Sequence, residues 1–219
     1  MKKLLFFAIC LLVAGSVCAQ GYYGPRRVRR PPPRSQFDDF YKIRAGITGG
    51  LNVANTVDAY NSNFSTAAIA GFNAGLFLDL PLVYPLSFEP EVLYSQKGYA
   101  AVTTYGNFTQ RSNYIDIPLL LKFKLSPTFN ILVGPQVAIP VSMTNTYDNG
   151  FDVTAQQYYN TYGEKTILDG VVGVSFDLSR DVELRARYTI DLQPNDQNAS
   201  YGGDYRNQVW QVGLGFKFE

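Results

Sequence analysis

The stretch 181-DVELRARYTIDL-192 alternates without a break, with Val182, Leu184, Ala186, Tyr188, Ile190 and Leu192 on one parity and Asp181, Glu183, Arg185, Arg187, Thr189 and Asp191 on the other. A period of two predicts a β-strand with one apolar and one charged face. A soluble sheet would bury the apolar face and wet the charges, whereas a barrel set in lipid turns the same strand inside out. The neighbouring segments decide between the two.

Similar alternation recurs from Phe40 onward. It predicts strands at about Phe40 to Val53, Ala68 to Leu80, Leu86 to Lys97, Asn113 to Leu125, Phe129 to Ser142, Thr166 to Leu178, Asp181 to Leu192 and Gln208 to Phe218. The connections alternate too. Pro81 to Pro85, Ser126 to Thr128 and Ser179 to Arg180 are short, while those around Asn61, Tyr105, Tyr159 and Tyr201 are long and polar. Short turns at one end and long loops at the other describe an eight-stranded antiparallel up-and-down β-barrel.

Volume then settles which face points inward. The apolar parity carries Ile43, Ile47, Phe72, Leu76, Phe88, Val92, Ile117, Leu119, Leu121, Ile131, Val133, Val172, Val174, Trp210, Leu214 and Phe216. An eight-stranded bore is only just wide enough for its interior side chains, so this set belongs in lipid and the barrel is transmembrane. The other parity offers Gly46, Gly71, Gly75, Gly134, Gly173, Gly213 and Gly215 together with charges of both signs. Predicted to face inward are Lys42, Arg44, Lys122, Lys124, Arg185, Arg187 and Lys217, against Asp79, Glu89, Glu91, Asp116, Asp169, Asp177, Asp181, Glu183 and Asp191. Charges removed from water must be paired, so the expectation is a network that fills and neutralises the lumen, without an open pore. Tyr41, Tyr84, Phe88, Phe123, Phe129, Phe176, Phe216 and Phe218 gather near the short turns, as an interfacial girdle does. Pro90, Pro118, Pro135 and Pro140 fall inside predicted strands, which calls for bulges or different strand limits there.

The first residues, MKKLLFFAICLLVAGSVCAQ, have a basic start, an apolar run from Leu4 to Val13 and small residues near Ala19. This reads as a signal peptide over 1–19. Gly15, Ser16 and Val17 fit a lipoprotein box at Cys18 poorly, so Cys10 and Cys18 leave with the signal and the mature chain has no thiol chemistry. From 20 to 39 the chain is an arm rich in arginine and proline (Arg26, Arg27, Arg29, Arg30, Pro31 to Pro33, Arg34), expected to be extended, unable to fold alone and periplasmic. The barrel occupies 40–219. Charge is near balance, which with export argues against nucleic acid as a partner. Histidine is absent. That removes the usual general base and metal ligand, so neither an enzyme, a metal nor another cofactor is expected.

Several ordered motifs resemble a known family. PLSFEPEVLYSQKG from Pro85, YIDIPLLLKFK from Tyr114, VGPQVAIPVS from Val133 and the closing QVGLGFKF are similar to the outer-membrane β-barrel domain of Bacteroidetes called PorT-like or porin-like. The resemblance covers Phe40 to Glu219 and implies an eight-stranded barrel in the outer membrane of a Gram-negative bacterium. Some members are linked to protein secretion and gliding. The last strand also resembles an outer-membrane assembly signal, in Gln211, Gly213, Phe216 and Phe218, which implies the barrel-assembly machinery as a partner. The chain ends on Glu219 where that signal has an aromatic residue. The function expected is a structural or surface-binding barrel, with long loops rich in Tyr and Asn suited to a glycan or protein. The alternative is an accessory of an envelope secretion complex, with a periplasmic partner on the arm.

Overall fold

The computed structural model describes residues 40–59, 66–103, 106–148, 150, 152–159, 166–192 and 204–218; the expected signal peptide and the arm lie outside them. The strands are β1 (Arg44–Ala59), β2 (Thr66–Val83), β3 (Leu86–Thr103), β4 (Gly106–Lys124), β5 (Phe129–Asp148), β6 (Val153–Tyr159), β7 (Ile167–Asp177), β8 (Val182–Asp191) and β9 (Asp204–Phe218). All pairings are antiparallel, and they run β1–β2–β3–β4–β5–β7–β8–β9 and back to β1. Eight strands therefore close the ring. The expected count is corrected by a ninth, β6, which pairs only with the far end of β5, Ser142 to Asp148. Residues 152–157 are exposed, so this part of β6 has no alternation of burial to betray it.

The short turns lie where the sequence puts them, at 84–85, 125–128 and 178–181. At the opposite end the strands overrun their predicted limits. β3 and β4 stay paired as far as Thr103 opposite Gly106, so the expected long loop around Tyr105 shrinks to 104–105. Along these extensions, as at 106–111 and 143–148, both faces are partly exposed, and the in-out contrast that marks a strand fades where both faces are wet.

Parity inside the ring follows the volume argument. Ile47, Leu76, Val92, Val172, Leu184 and Trp210 are exposed, while Glu183, Arg185 and Arg187 are buried. Phe129 and Phe176 pair at 4.9 Å and Tyr188 and Trp210 at 4.8 Å on the outward face. A continuous apolar exterior of this extent has lipid as its natural solvent. On the inward face Gly46 leaves room for the Phe77 ring, which a Cβ there would overlap. Phe77 in turn carries the Arg185 guanidinium 4.7 Å above its centroid.

All four prolines do lie inside strands, and two devices accommodate them. Val141 is bulged out beside Pro140, where pairing steps from Asn113 opposite Ser142 to Tyr114 opposite Pro140. Around Pro90, Pro118 and Pro135 the ladder omits pairs without changing register: Pro90 faces Leu119 and the next pair is Leu93 with Asp116. Across β4 and β5 the pairs Pro118 with Gln136 and Leu121 with Val133 bracket a similar gap. A further register shift between β2 and β3 is repaired by Asn52, whose Nδ2 donates to the Phe72 carbonyl at 3.1 Å and the Gln96 carbonyl at 2.9 Å.

Candidate functional site: the charged lumen and the extracellular wall

Consecutive inward positions on β3 (Glu89, Glu91), β4 (Lys122) and β8 (Glu183, Arg185, Arg187) bring six ionised side chains into one network. Lys122 Nζ lies 2.7 Å from Glu89, 3.1 Å from Glu183 and 3.6 Å from Asp79. Arg185 bonds Glu89, reaches Glu91 at 2.7 Å and meets Glu183 at 3.2 Å. Arg187 donates to Glu91 at 2.8 Å. Lys217 joins Asp177 and, at 3.2 Å, Glu183. Lys122, Glu89 and Glu183 have no exposed surface, so each charge depends wholly on its neighbours.

Asp116, predicted in the same set, belongs to a second cluster nearer the long-loop end. There Lys97 Nζ lies 2.9 Å from Asp116 and 3.5 Å from Asp169, and Gln136 Nε2 donates to Asp169 at 2.7 Å. Asp191 faces Asp169 across the β7–β8 ladder and accepts the Asn207 backbone N–H and side-chain amide, both at 2.9 Å. Lys97, the last residue of the predicted third strand, is not among the inward charges predicted above. It shares parity with Glu89 and Glu91, and that signal was sufficient to find it. Asn52, Asn73 and Gln136 are uncharged and carry no comparable mark.

Four predicted lumen residues lie elsewhere. Asp181 is exposed in the turn before β8. Lys42 is half-buried ahead of β1, and Arg44 opens β1 opposite Asp79, so both belong to the rim. Lys124 is likewise half-buried at the end of β4, over the Phe40 ring at 5.0 Å. The four residues of the C-terminal signal divide between faces: Gln211 and Gly213 toward the lumen, Phe216 and Phe218 toward lipid.

A family model described as the outer membrane protein beta-barrel domain matches residues 34–219. The chain belongs to that family. Among solved structures, Neisserial surface protein A is similar with a TM-score of 0.50 and 15% identity, covering 80% of this chain and 97% of that one. Ail, the attachment invasion locus protein of Yersinia pestis, solved with the heparin analogue sucrose octasulfate, gives 0.48 and 14%, covering 81% and 99%. OprG from Pseudomonas aeruginosa gives 0.40 and 13%, covering 81% and 94%. No curated protein matches by sequence. The chain is an outer-membrane β-barrel of a Gram-negative bacterium, which places the short turns toward the periplasm and the long strands outside.

With that orientation the unequal strands acquire meaning. β7 and β8 are 11 and 10 residues long, whereas β3, β4 and β5 have 18, 19 and 20. From Asn113 to Gly106, β4 projects roughly 20 Å along its own direction. β2, β3, β4, β5 and β6 thus form a wall above one side of the mouth, next to two strands, β7 and β8, that stop at the lip. The pairings Ala101–Phe108–Tyr147 and Tyr99–Gln110–Asn145 continue the lumen-facing side of this wall. Phe108 stacks on Tyr99 at 5.9 Å and on Tyr147 at 5.0 Å. Gln156 and Thr154 of β6 lie opposite Asn145 and Tyr147. The face is aromatic and amide-bearing, and none of these residues is charged.

Proposed function

We propose that this family member is a surface-binding barrel whose ligand site is the lumen-facing side of the extracellular wall, with the charged lumen as a closed structural plug. The observation that carries the reading is the row Tyr99, Phe108 and Tyr147 flanked by Gln110, Asn145 and Gln156. Flat rings beside amides suit a sugar face or a protein surface, and the absence of charge on that row favours a neutral epitope over a sulfated one. The protein acts without catalysis, cofactor or metal. We place it in the PorT-like branch of Bacteroidetes on the motifs quoted above, with residues 1–19 removed as a signal peptide and the barrel-assembly machinery reading the β9 signal.

The test is a screen of the full mature chain in nanodiscs against a glycan array and a panel of extracellular-matrix proteins, followed by the Phe108→Ala/Tyr147→Ala double variant. We expect at least a tenfold loss of whatever binding is found, with heat-modifiable migration on gels retained. Unchanged binding in that variant would overturn the reading. A partner lost only on deleting residues 24–34 would favour the accessory of a secretion complex.

A further inference from the structure

We infer that the periplasmic mouth of the barrel is a second binding site, for a phosphomonoester. A cavity of about 370 Å³ opens there, within the size range of small-ligand sites. Among the described residues its lining carries the cations Arg44, Lys124, Arg180 and Lys217 and one carboxylate, Asp177. Asp177 is already engaged by Lys217. Among the described residues no carboxylate lies within 4.0 Å of Lys124 or Arg180. Lys217 is further held by Glu183, so the charge on this lining that no carboxylate among the described residues offsets is that of Lys124 and Arg180.

The uncharged residues of the rim fit the same ligand. Ser126 Oγ accepts the Phe129 backbone N–H at 3.0 Å, and Ser179 Oγ accepts that of Val182 at 3.1 Å. Each turn thus pins its serine oxygen, leaving the Ser179 O–H as a donor and setting the Ser126 hydroxyl 3.5 Å from that of Thr128. Serine hydroxyls, an ammonium and a guanidinium are the donors of a rim whose one described carboxylate is tied to Lys217, the chemistry that recognises an oxyanion. A lone carboxylate would offset one charge. A phosphomonoester, at close to two negative charges near neutral pH, matches the excess better. Phe40 and Tyr84, edge to face at 5.3 Å, give an apolar wall for its organic part.

Such a phosphate reaches the mouth as a free metabolite or as a lipid headgroup, and the experiment separates them. The full chain in phosphatidylcholine nanodiscs is titrated with glycerol 3-phosphate by calorimetry at 0.15 M salt, then repeated with phosphatidic acid in the bilayer. We expect saturable binding that weakens at least about tenfold in Lys124→Ala/Arg180→Ala and is retained in Lys124→Arg/Arg180→Lys. Competition by phosphatidic acid assigns the site to a headgroup, and no competition assigns it to the free ester. Both substitutions lie on the rim, outside the buried network, and heat-modifiable migration verifies the fold. No saturable binding of glycerol 3-phosphate in either bilayer, or equal binding in the alanine variant, overturns the proposal.

Discussion

Lys122 and Arg187 are both buried cations, yet they differ in what depends on them. Lys122 is held by Glu89, Glu183 and Asp79 and has no exposed surface, while Arg187 serves Glu91, which Arg185 also bonds. Lys122→Met takes a cation from three carboxylates at once in a dry site, leaving Glu89 to Arg185 and Glu183 to Arg185 and Lys217, and is expected to cost about 3–5 kcal/mol. Arg187→Met removes one charged hydrogen bond while its partner keeps another, at about 1.5–3 kcal/mol. Urea unfolding of the two variants in lipid vesicles checks the order, and a larger loss for Arg187→Met would contradict the assignment of Lys122 as the hub. Parity alone named both residues, because a charge at a lumen position stands out against apolar neighbours. Parity could not rank them, since partners such as Glu89 and Glu183 are 94 positions apart in sequence and meet only across the bore.

At the scale of elements, the legible strands are those with lipid on one side. β8 is predicted almost to the residue, from Asp181 to Leu192 against Val182–Asp191, because its whole length separates apolar from charged. β6 is invisible for the opposite reason, residues 153–157 being exposed on both faces. Since β6 touches only the upper part of β5, removal of residues 150–160 should leave the ring intact; unchanged heat-modifiable migration is expected, and loss of the folded band would refute it. The ladders differ as well. β1 and β9 pair without interruption from Ala45 opposite Phe218 to Ala59 opposite Asp204, whereas β3, β4 and β5 lose pairs around Pro90, Pro118 and Pro135. Hydrogen exchange should therefore be faster at Val92 and Leu120 than at Gly49 and Val212. Equal protection would mean that the gaps are closed by other acceptors.

At the scale of the molecule, the closed ring and its packed lumen predict electrical silence. Planar-bilayer recordings should show no stable large openings, and such openings would reveal a continuous water path past Arg185 and Lys122. The same network also constrains how the protein comes into being. Its ties run between β3, near the beginning of the ring, and β8, near its end, so no partial arc of strands can satisfy them. A half-built sheet would hold Glu89 and Glu91 in the bilayer without their arginines. Intermediates of that kind are penalised, and insertion becomes an all-or-none event in which the last strands neutralise charges laid down by the first.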